Sequence, residues 1–404
     1  MIWEPTRAAG LARLQAFLPA AGRAYAASRN VDRGPADRSN VSALSPWLRR
    51  RLITEDEVVA AVLSRHSAAA AEKFVQEVAW RTYWKGWLEL RSALLESFNA
   101  ERIALKDRLE RDRDLALRFR RAAEGESGIA CFDAWVAELR ERGWLHNHAR
   151  MWFASIWIFT LGLPWQLGAD FFYKHLLDAD PASNTLSWRW VAGLHTTGKH
   201  YLARAENIER NTLGRFAPYG QLNEAAQPLI EADPVPSVTP LAPAGRVGAG
   251  PFALLLTEED LHPESWAPPG EIAAIAMLPS AQVHAPGSPG ALFSEGALAD
   301  AAARAEAHFG RPCARVPAAD LPAWLAGKGL TQLVTSQAPT GLIAWQLRDA
   351  AAALSAQGAH LIPLRRPWDE ALWPLATAGF FKLKTKLPAV IARLGLDPAA
   401  PRLL

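Results

Sequence analysis

Residues 143–151 read Gly-Trp-Leu-His-Asn-His-Ala-Arg-Met, residues 178–184 read Asp-Ala-Asp-Pro-Ala-Ser-Asn, and residues 188–190 read Trp-Arg-Trp. Amide, guanidinium, carboxylate, thioether and indole side chains thus come together beside strongly apolar helical segments. These residue types suit a buried aromatic redox group better than a metal, a nucleophile or a phosphate loop alone. The stretch from 143 to 190 therefore predicts a helical domain that holds a redox cofactor.

Length and charge bound the class of protein. The chain has 404 residues, 50% of them hydrophobic, which is enough for two domains with their own cores. Lys and Arg outnumber Asp and Glu by 31 to 25 in residues 1–216, whereas residues 217–404 carry 13 against 16. The first half is the expected side for a polyanionic partner.

Cysteine content and hydropathy indicate the compartment. Cys131 and Cys313 are the two cysteines, too few for a disulfide framework or a four-cysteine metal site. The N-terminal residues lack the pattern of a secretion signal, and the longest apolar run, 151–165, is too short to span a bilayer. We expect a cytoplasmic protein with no membrane partner.

The chain divides by pattern into an all-helical half and an α/β half. Residues 1–215 show apolar residues at helical spacing, and Thr54 with Glu57 has the signature of a capping box. Residues 216–251 are rich in Pro, Ala and Gly, which predicts an interdomain linker. Residues 252–404 are expected to form a Rossmann-like α/β domain with a mostly parallel sheet.

Short apolar runs mark the predicted strands of the second half, with helical patterns between them. Strands are predicted at Phe252–Leu256, Ile272–Met277, 330–334 and His360–Leu364, and helices at 297–309, 318–327 and 342–356. Helices of the first half are predicted at 69–95, 131–142, 144–162 and 168–177. Ligands of such sheets bind at the carboxyl ends of the strands, but the fold alone names no ligand.

Glu77, Trp80, Arg81 and Trp84 share one face of a predicted helix. A carboxylate, a guanidinium and two indoles can be buried together only if the charges are satisfied. One interpretation is a surface ion pair beside core tryptophans. The other is one wall of a binding pocket, which needs a second polar stripe opposite.

A second stripe is formed by Asn147, Arg150 and Met151, again at helical spacing. Asn can bind a ring edge, Arg can pair with an Asp or a phosphate, and Met packs softly against an aromatic plane. Asp178 and Asp180 could be acid and base, metal ligands or acceptors for a ring, and their spacing does not choose among these roles.

Three further features have alternative interpretations. His146 and His148 point to different faces of a helix and lack a third ligand, so no metal is expected. The arginines at 49–51 and the basic stretch 102–121 could face nucleic-acid phosphates or form a solvated surface. Residues 40–46, Asn-Val-Ser-Ala-Leu-Ser-Pro, could be an anion site before a helix or an ordinary helix start.

Residues 20–215 resemble the FAD-binding domain of the photolyase/cryptochrome family. The resemblance rests on six motifs that occur in the family's order, with two single aromatic matches. These are Tyr25, Ser42-Ala-Leu-Ser-Pro-Trp-Leu-Arg, Leu52-Ile-Thr, Glu77-Val-Ala-Trp-Arg, the 143–151 stretch, Trp165, the 178–184 stretch and Trp188-Arg-Trp190.

The resemblance implies a U-shaped FAD, and with it a set of contact residues. Those that would bind it are Tyr25, Ser42, Leu44, Ser45, Arg81, Asn147, Arg150, Asp178, Asp180 and Asn184. Arg150 would pair with Asp178, and Asn184 would face the flavin N5 atom. Trp188 and Trp165 would carry electrons to the flavin. The residues that would contact a flipped-out lesion are Glu77, Trp80, Asn147, Met151 and Trp190, all present in this chain.

The function implied by the resemblance is light-driven repair of cyclobutane pyrimidine dimers in single- or double-stranded UV-damaged DNA. An excited reduced FAD would pass one electron to the dimer. The alternative is a cryptochrome-like blue-light sensor that uses the same FAD and acts on a signalling partner. A third possibility is a flavin-free protein that only helps bind DNA.

The chain departs from the family in its electron path and in its domain order. Residues 88–134 contain no Trp where a third electron carrier would be expected, so Trp135, Trp157 or a tyrosine would have to replace it. The family's α/β antenna domain normally comes first, whereas here an α/β half follows the helical one. We therefore expect the two domains in swapped order, with an unidentified second antenna chromophore possible in residues 252–404.

Overall fold

The computed structural model describes residues 3–196, 198–231, 234–281 and 283–398. The first half is helical throughout the described part, as predicted. Its helices are α1 Arg7–Phe17, α2 Arg23–Ser28, α3 Ser45–Arg49, α4 Glu55–Leu63, α5 Ala68–Glu89, α6 Ala93–Arg111, α7 Arg113–Glu124, α8 Ala130–Arg142, α9 Asn147–Ser155, α10 Trp165–His175, α11 Pro181–Ala192 and α12 Ala205–Asn211, with a π-helical turn at Ile156–Thr160 after α9.

The second half alternates strands and helices. Its elements are β1 Phe252–Leu256, β2 Ile272–Met277, α13 Pro289–Phe309, β3 Cys313–Arg315, α14 Leu321–Gly327, β4 Gln332–Ser336, α15 Leu342–Ser355, β5 His360–Leu364, α16 Pro367–Leu372, α17 Phe380–Lys384 and α18 Leu387–Arg393. Short 3-10 turns lie at Leu18–Ala20, Pro263–Ser265, Ala318–Asp320 and Trp373–Leu375.

The five strands form one parallel sheet in the order β3-β2-β1-β4-β5. The central strands are buried along their whole length, as expected when helices cover both faces of a parallel sheet. The predicted class, a helical domain followed by a Rossmann-like α/β domain, is confirmed. The order reverses direction between β1 and β4, so the crevice at their carboxyl ends is the usual ligand position of such a sheet.

Several predicted element boundaries were wrong, each for a local reason. Strand β3 was missed because Cys-Ala-Arg at 313–315 is short and only partly buried, so it carries no apolar run. The segment 69–95 is broken between α5 and α6 at 90–92. Helix α9 starts at Asn147, not at 144, because the His146 side chain caps its first turn.

Helix caps follow the sequence closely. Thr54 and Glu57 form the predicted capping box at the start of α4. The Asp180 carboxylate accepts a hydrogen bond from Ser183 N at 2.9 Å and so caps α11, whose first residue is Pro181. Asp180 is therefore held in place by the helix that it begins.

The arginines at 49–51 lie neither on a surface that could face DNA nor on a solvated surface. Both interpretations of this basic run were therefore wrong. All three side chains are buried and cross to the α/β half. Arg49 binds Glu259 through two hydrogen bonds of 2.7 and 2.8 Å, and Arg50 binds Ser294 at 2.5 Å. The basic run therefore joins the helical half to the acidic turn that follows β1.

Arg51 lies at the centre of this junction. Its guanidinium contacts Asp369 at 2.7 Å, Glu55 at 3.1 Å and Asp260 at 3.6 Å. Asp260 is also bound by Arg366 at 2.6 Å, at the end of the crevice between β1 and β4. Arg51 of the helical half thus occupies part of the crevice in which a doubly wound sheet usually binds its ligand.

The basic stretch 102–121 lies on α6 and α7, where most side chains are exposed. Arg108 pairs with Asp112 and Arg118 with Asp114 at i,i+4 spacing. This matches the solvated-surface interpretation.

Residues 212–251 contain no helix or strand in the part of the segment that the structure describes. They contact both halves: Glu231 pairs with Arg189, Thr239 N donates to Leu90 O at 2.9 Å, and Gly245 N donates to Pro363 O at 2.8 Å. The division into 1–215, a linker and 252–404 stays a prediction. None of the helices in the described residues is long and apolar enough to cross a membrane.

Burial lowers the pKa of His146 to about 4, with the nearby Asp32 acting in the opposite direction and Arg38 adding to the lowering. Because an unfolded histidine titrates near about 6.5, the unfolded chain takes up the proton first as the pH falls. The contribution of neutral His146 to the free energy of unfolding is therefore fully present above about pH 6.5, and it is lost as the pH falls toward about pH 4. We expect the wild type to lose about 2 kcal/mol more unfolding free energy than His146→Asn between about pH 7.5 and pH 5.

Urea unfolding at the two pH values measures this difference, and Asn retains the capping acceptor at 146. His308 is exposed, so His308→Asn is the control and should follow the wild type. An equal pH dependence of the wild type and His146→Asn would contradict the prediction.

Candidate functional site

The predicted polar stripes meet where α5, α9 and the first turn of α11 lie together. Arg150 on α9 binds Asp178 through two hydrogen bonds of 3.0 and 2.8 Å. Burial alone would raise the pKa of Asp178, but the Arg150 charge holds it below its ordinary value. The carboxylate is thus ionised, and the pairing that the resemblance implied is present.

Asp180 forms the second charged cluster of the site. Its carboxylate lies 3.2 Å from Arg81 Nη2 and 3.7 Å from Lys85 Nζ, both on α5. Burial acts to raise the pKa of Asp180, whereas Arg81, Lys85 and Arg49 together hold it well below its ordinary value. Burial lowers the pKa of Lys85, whose side chain is 1% exposed.

Glu77 lies on the outer part of the α5 stripe, with its side chain 31% exposed. It forms an ion pair with Arg29, which directly follows α2, and Tyr25 is buried on α2 one turn earlier. Burial, with the Glu77 charge adding to it, raises the pKa of Tyr25 above its ordinary range. Glu77 is therefore fixed at an accessible rim rather than in the core.

Trp80 and Trp84, the aromatic members of the stripe, are covered from two directions. Trp80 is partly exposed and stacks on Phe380 of α17, with ring centroids 3.8 Å apart and planes 14° from parallel. Trp84 packs against His195, which follows α11, at 4.8 Å. The α/β half and the loop after Trp190 thus both reach this wall.

The remaining lesion-side candidates, on α9 and α11, are at least partly exposed. Asn147 is exposed and Met151 is partly exposed, both on α9. Trp190 stacks on Tyr201 at 5.9 Å, and the Tyr201 hydroxyl lies 3.2 Å from His148 Nε2. Accessible apolar and amide groups are therefore present on α9 and at the end of α11.

The segment before α3 is held by backbone contacts. Arg13 Nε donates to Ser42 O at 2.7 Å, and Ala43 has φ 50°, so the turn there is tight. Leu44 is buried, and the Ser45 hydroxyl accepts from Trp144 Nε1 at 3.0 Å. The turn is fixed in place, and its role as an anion site stays a prediction.

Asn184 lies on the first turn of α11. Its amide donates to Ala169 O at 2.8 Å, and its side chain lines a cavity of about 270 Å³ between the two halves. Lys174 and Arg102 contribute cations to this cavity, and Trp345 on α15 an aromatic ring. The predicted position beside N5 is untested.

The predicted electron carriers are buried. Trp165 stacks on Phe98 at 5.3 Å, and Trp188 packs edge-on against Trp157 at 6.3 Å. Trp135 lies elsewhere, stacked on Trp152 at 5.5 Å. Of the two tryptophans considered as a replacement third carrier, Trp157 is therefore the one in contact with Trp188.

Sequence reasoning missed three charged residues of the site: Arg29, Glu55 and Lys85. Arg29 could have been found from its i,i+4 spacing to Tyr25 on a short helix. Lys85 stands one turn after Arg81, on the same face of α5. Glu55 lies at the start of α4 and reaches the site only through the packing of α4 on α5, so no local signal marks it.

The fold and the charged cleft define the helical half as a cofactor-binding domain, and comparison with known proteins identifies the cofactor. Residues 74–217 match the family described as the FAD binding domain of DNA photolyase. Residues 74–217 of the helical half are thus similar to the FAD-binding domain of DNA photolyases.

Several relatives carry names from this family. A deoxyribodipyrimidine photo-lyase of Agrobacterium fabrum is 34% identical over 48% of this chain and 39% of its own length. A deoxyribodipyrimidine photo-lyase of Thermus thermophilus is 34% identical over 57% of this chain and 54% of its own. Cryptochrome DASH of Natronomonas pharaonis is 32% identical over 48% and 40%. The chain spans about half the length of these relatives or less.

A solved class III photolyase from Agrobacterium tumefaciens aligns with 53% of this chain and 45% of its own, at 28% identity and a TM-score of 0.42.

The cleft residues fit FAD. Among the described residues, the buried Ser183 hydroxyl and the Lys85 ammonium beside Asp180 have no hydrogen-bond partner. Unpaired buried donors are rare unless a ligand or water satisfies them. Arg81 and Arg150 are 12% and 23% exposed although they lie among packed helices. Buried donors without partners, beside partly exposed guanidinium groups, suit the hydroxyls, phosphates and ring edge of a flavin nucleotide.

Proposed function

We propose that the protein is a light-driven enzyme that repairs cyclobutane pyrimidine dimers in UV-damaged DNA. The observation that carries this proposal is the position of Glu77. Its carboxylate is fixed by Arg29 and remains 31% exposed at a rim that it shares with the partly exposed Trp80. A rim with one oriented carboxylate and the exposed part of an indole ring suits a flipped-out pyrimidine pair.

In this proposal, one set of residues binds the flavin and another set contacts the lesion. Arg150 with Asp178, and Arg81 with Asp180, bind and orient the flavin. Bound FAD, when reduced, supplies the electron that light transfers to the dimer and that returns after the cyclobutane ring opens.

On the lesion side, the parts of the Trp80 and Trp190 rings that Phe380 and Tyr201 leave uncovered contact the pyrimidines, and Asn147 and Met151 contact them from α9. Glu77 accepts hydrogen bonds from pyrimidine N–H groups or, when it carries a proton, donates to a carbonyl oxygen. DNA with one or two strands serves as substrate as long as the dimer can leave the stack.

We also propose that the cavity of about 270 Å³ between the halves binds a second chromophore. Arg102 and Lys174 are both paired with Asp170, which also lines the cavity, and the rings of Phe98 and Trp345 favour a planar ligand. The swapped order of the two domains, and a cytoplasmic location suggested by two unpaired cysteines, are part of the same proposal.

Replacing Glu77 with Ala is expected to lower repair of a thymine-dimer oligonucleotide by about 10- to 100-fold, because a transition-state hydrogen bond to a charged group is lost. Reduced, illuminated protein is assayed for restored thymines. Glu77→Gln keeps a donor and an acceptor and should retain more activity than Ala.

Flavin content of both variants should equal that of the wild type, which serves as the control for folding. No repair by flavin-loaded wild type would exclude the enzyme and favour the sensor. Equal repair by wild type and Glu77→Ala would remove Glu77 from the mechanism.

A further inference from the structure

The segment 379–386 of the α/β half, which contains α17, lies against the helical half beside the proposed lesion rim. Phe380 stacks on Trp80 and also packs edge-on against Tyr83 at 5.6 Å. Lys384 pairs with Glu72 at 2.9 Å, near the start of α5. The segment is therefore fixed to α5 at two places, one of them the outer wall of the rim.

Other residues of segment 379–386 are exposed to solvent, and they combine an aromatic side chain with lysines. Phe381 is 73% exposed, the second most exposed large hydrophobic residue among those described, after Ile230 at 93%. Lys382 and Lys386 are exposed, and within the described residues neither has an ion pair. Phe381 contacts Phe380 edge-on at 6.1 Å, and most of its ring is open to solvent beside the exposed Lys382 and Lys386.

Positive charge is concentrated here although residues 217–404 as a whole carry a slight excess of acidic residues. Residues 371–396 contain four basic residues, Lys382, Lys384, Lys386 and Arg393, and no acidic residue. Residues 217–404 together carry 13 basic against 16 acidic residues. The local excess of positive charge favours a polyanionic partner at this place.

We propose that segment 379–386 is part of the DNA-binding surface and contacts the strand that flanks the damaged site. Lys382 and Lys386 bind backbone phosphates, and Phe381 stacks on an unpaired base or sugar next to the flipped-out dimer. This inference rests on the proposed function, because Trp80 marks the lesion rim only if the helical half repairs DNA. It gives the α/β half a role in substrate binding that is independent of any chromophore.

The test measures DNA affinity of the flavin-loaded full chain by fluorescence anisotropy, with and without a thymine dimer in the oligonucleotide, over a series of salt concentrations. The double variant Lys382→Ala/Lys386→Ala is expected to bind both oligonucleotides about 5- to 10-fold more weakly, with a salt slope smaller by about 2. Phe381→Ala is expected to bind the damaged oligonucleotide about tenfold more weakly, with an unchanged salt slope.

Two matched controls are available in the α/β half. Lys328 is exposed and Leu292 is 65% exposed, and neither lies in segment 379–386. Lys328→Ala and Leu292→Ala should bind DNA like the wild type. Because all the substituted side chains are exposed, the thermal unfolding midpoints of the variants should agree.

The outcomes separate this inference from the proposed function. If the wild type repairs dimers and the variants bind DNA with unchanged affinity and salt slope, the inference is overturned and the function stands. If the wild type repairs no dimers but the lysine variant still loses affinity and slope, segment 379–386 remains a DNA contact. A loss equal to that of Lys328→Ala would also overturn the inference.

Discussion

Replacing Arg51 with Met should lower the free energy of unfolding by about 3–5 kcal/mol, because it removes the ion-pair partner of the buried Asp369 and one of the two partners of Glu55 and of Asp260. Arg51 is 1% exposed, and its three carboxylate partners, Glu55, Asp260 and Asp369, are each buried to a similar extent. Two of these partners belong to the α/β half and one to the helical half. The substitution should therefore weaken both halves together.

Urea unfolding followed by tryptophan fluorescence measures this effect. Met fills much of the arginine volume, so the loss reports on charge more than on packing. Arg51 has φ 49°, and Met keeps that strained backbone conformation, so the strain cancels in the comparison. A loss under about 1 kcal/mol would show that the network is not needed for stability.

Arg108→Met is the matched control for this prediction. Arg108 is 60% exposed and forms an i,i+4 pair with Asp112. Exposed pairs of this kind contribute about 0.3–0.5 kcal/mol, so the control should stay close to the wild type.

Asp180→Asn is expected to lower the flavin content of the purified protein by about tenfold or more, since charged hydrogen bonds contribute about 1.5–3 kcal/mol. Asn can still cap α11 through Ser183 N, so the helix start is retained. What is lost is the negative charge between Arg81 and Lys85. These two cations then repel each other, and the proposed acceptor for the flavin is weakened.

The measurement is flavin absorbance per protein after addition of excess FAD and removal of unbound cofactor. Asp32→Asn is the control, because Asp32 is equally buried and paired with Arg38 and Arg215 but lies outside the proposed flavin contacts. Flavin retention by Asp180→Asn at the wild-type level would remove Asp180 from the site. Equal losses in both variants would indicate a general effect on folding.

The two polar stripes, on α5 and α9, show how much of the site can be predicted from the sequence. Glu77 and Arg81 on α5, and Arg150 on α9, follow from helical spacing, which is a local property of the backbone. The pairing of Arg150 with Asp178 was implied by resemblance and is present. Arg29, by contrast, reaches Glu77 from the end of α2, 48 residues earlier in the chain, and the position of α2 on α5 is set by packing alone.

The sequence by itself determined the elements and their caps. Apolar runs and helical periodicity specified four of the five strands and the helices α4, α5, α8, α9, α10, α13, α14 and α15, since each depends on neighbours within a few residues. The short strand β3 escaped because only its pairing with β2 defines it.

The tertiary structure decided where the charges of the 143–190 stretch and of the arginine run would be satisfied. Arg49, Arg50 and Arg51 have no acidic partner nearby in sequence except Glu55, and their other carboxylates lie more than 200 residues away. A buried charge is stable only beside its counter-charge, and which residues meet in the interior depends on how the two halves pack. The same packing places Phe380 on Trp80, a contact that no local pattern encodes.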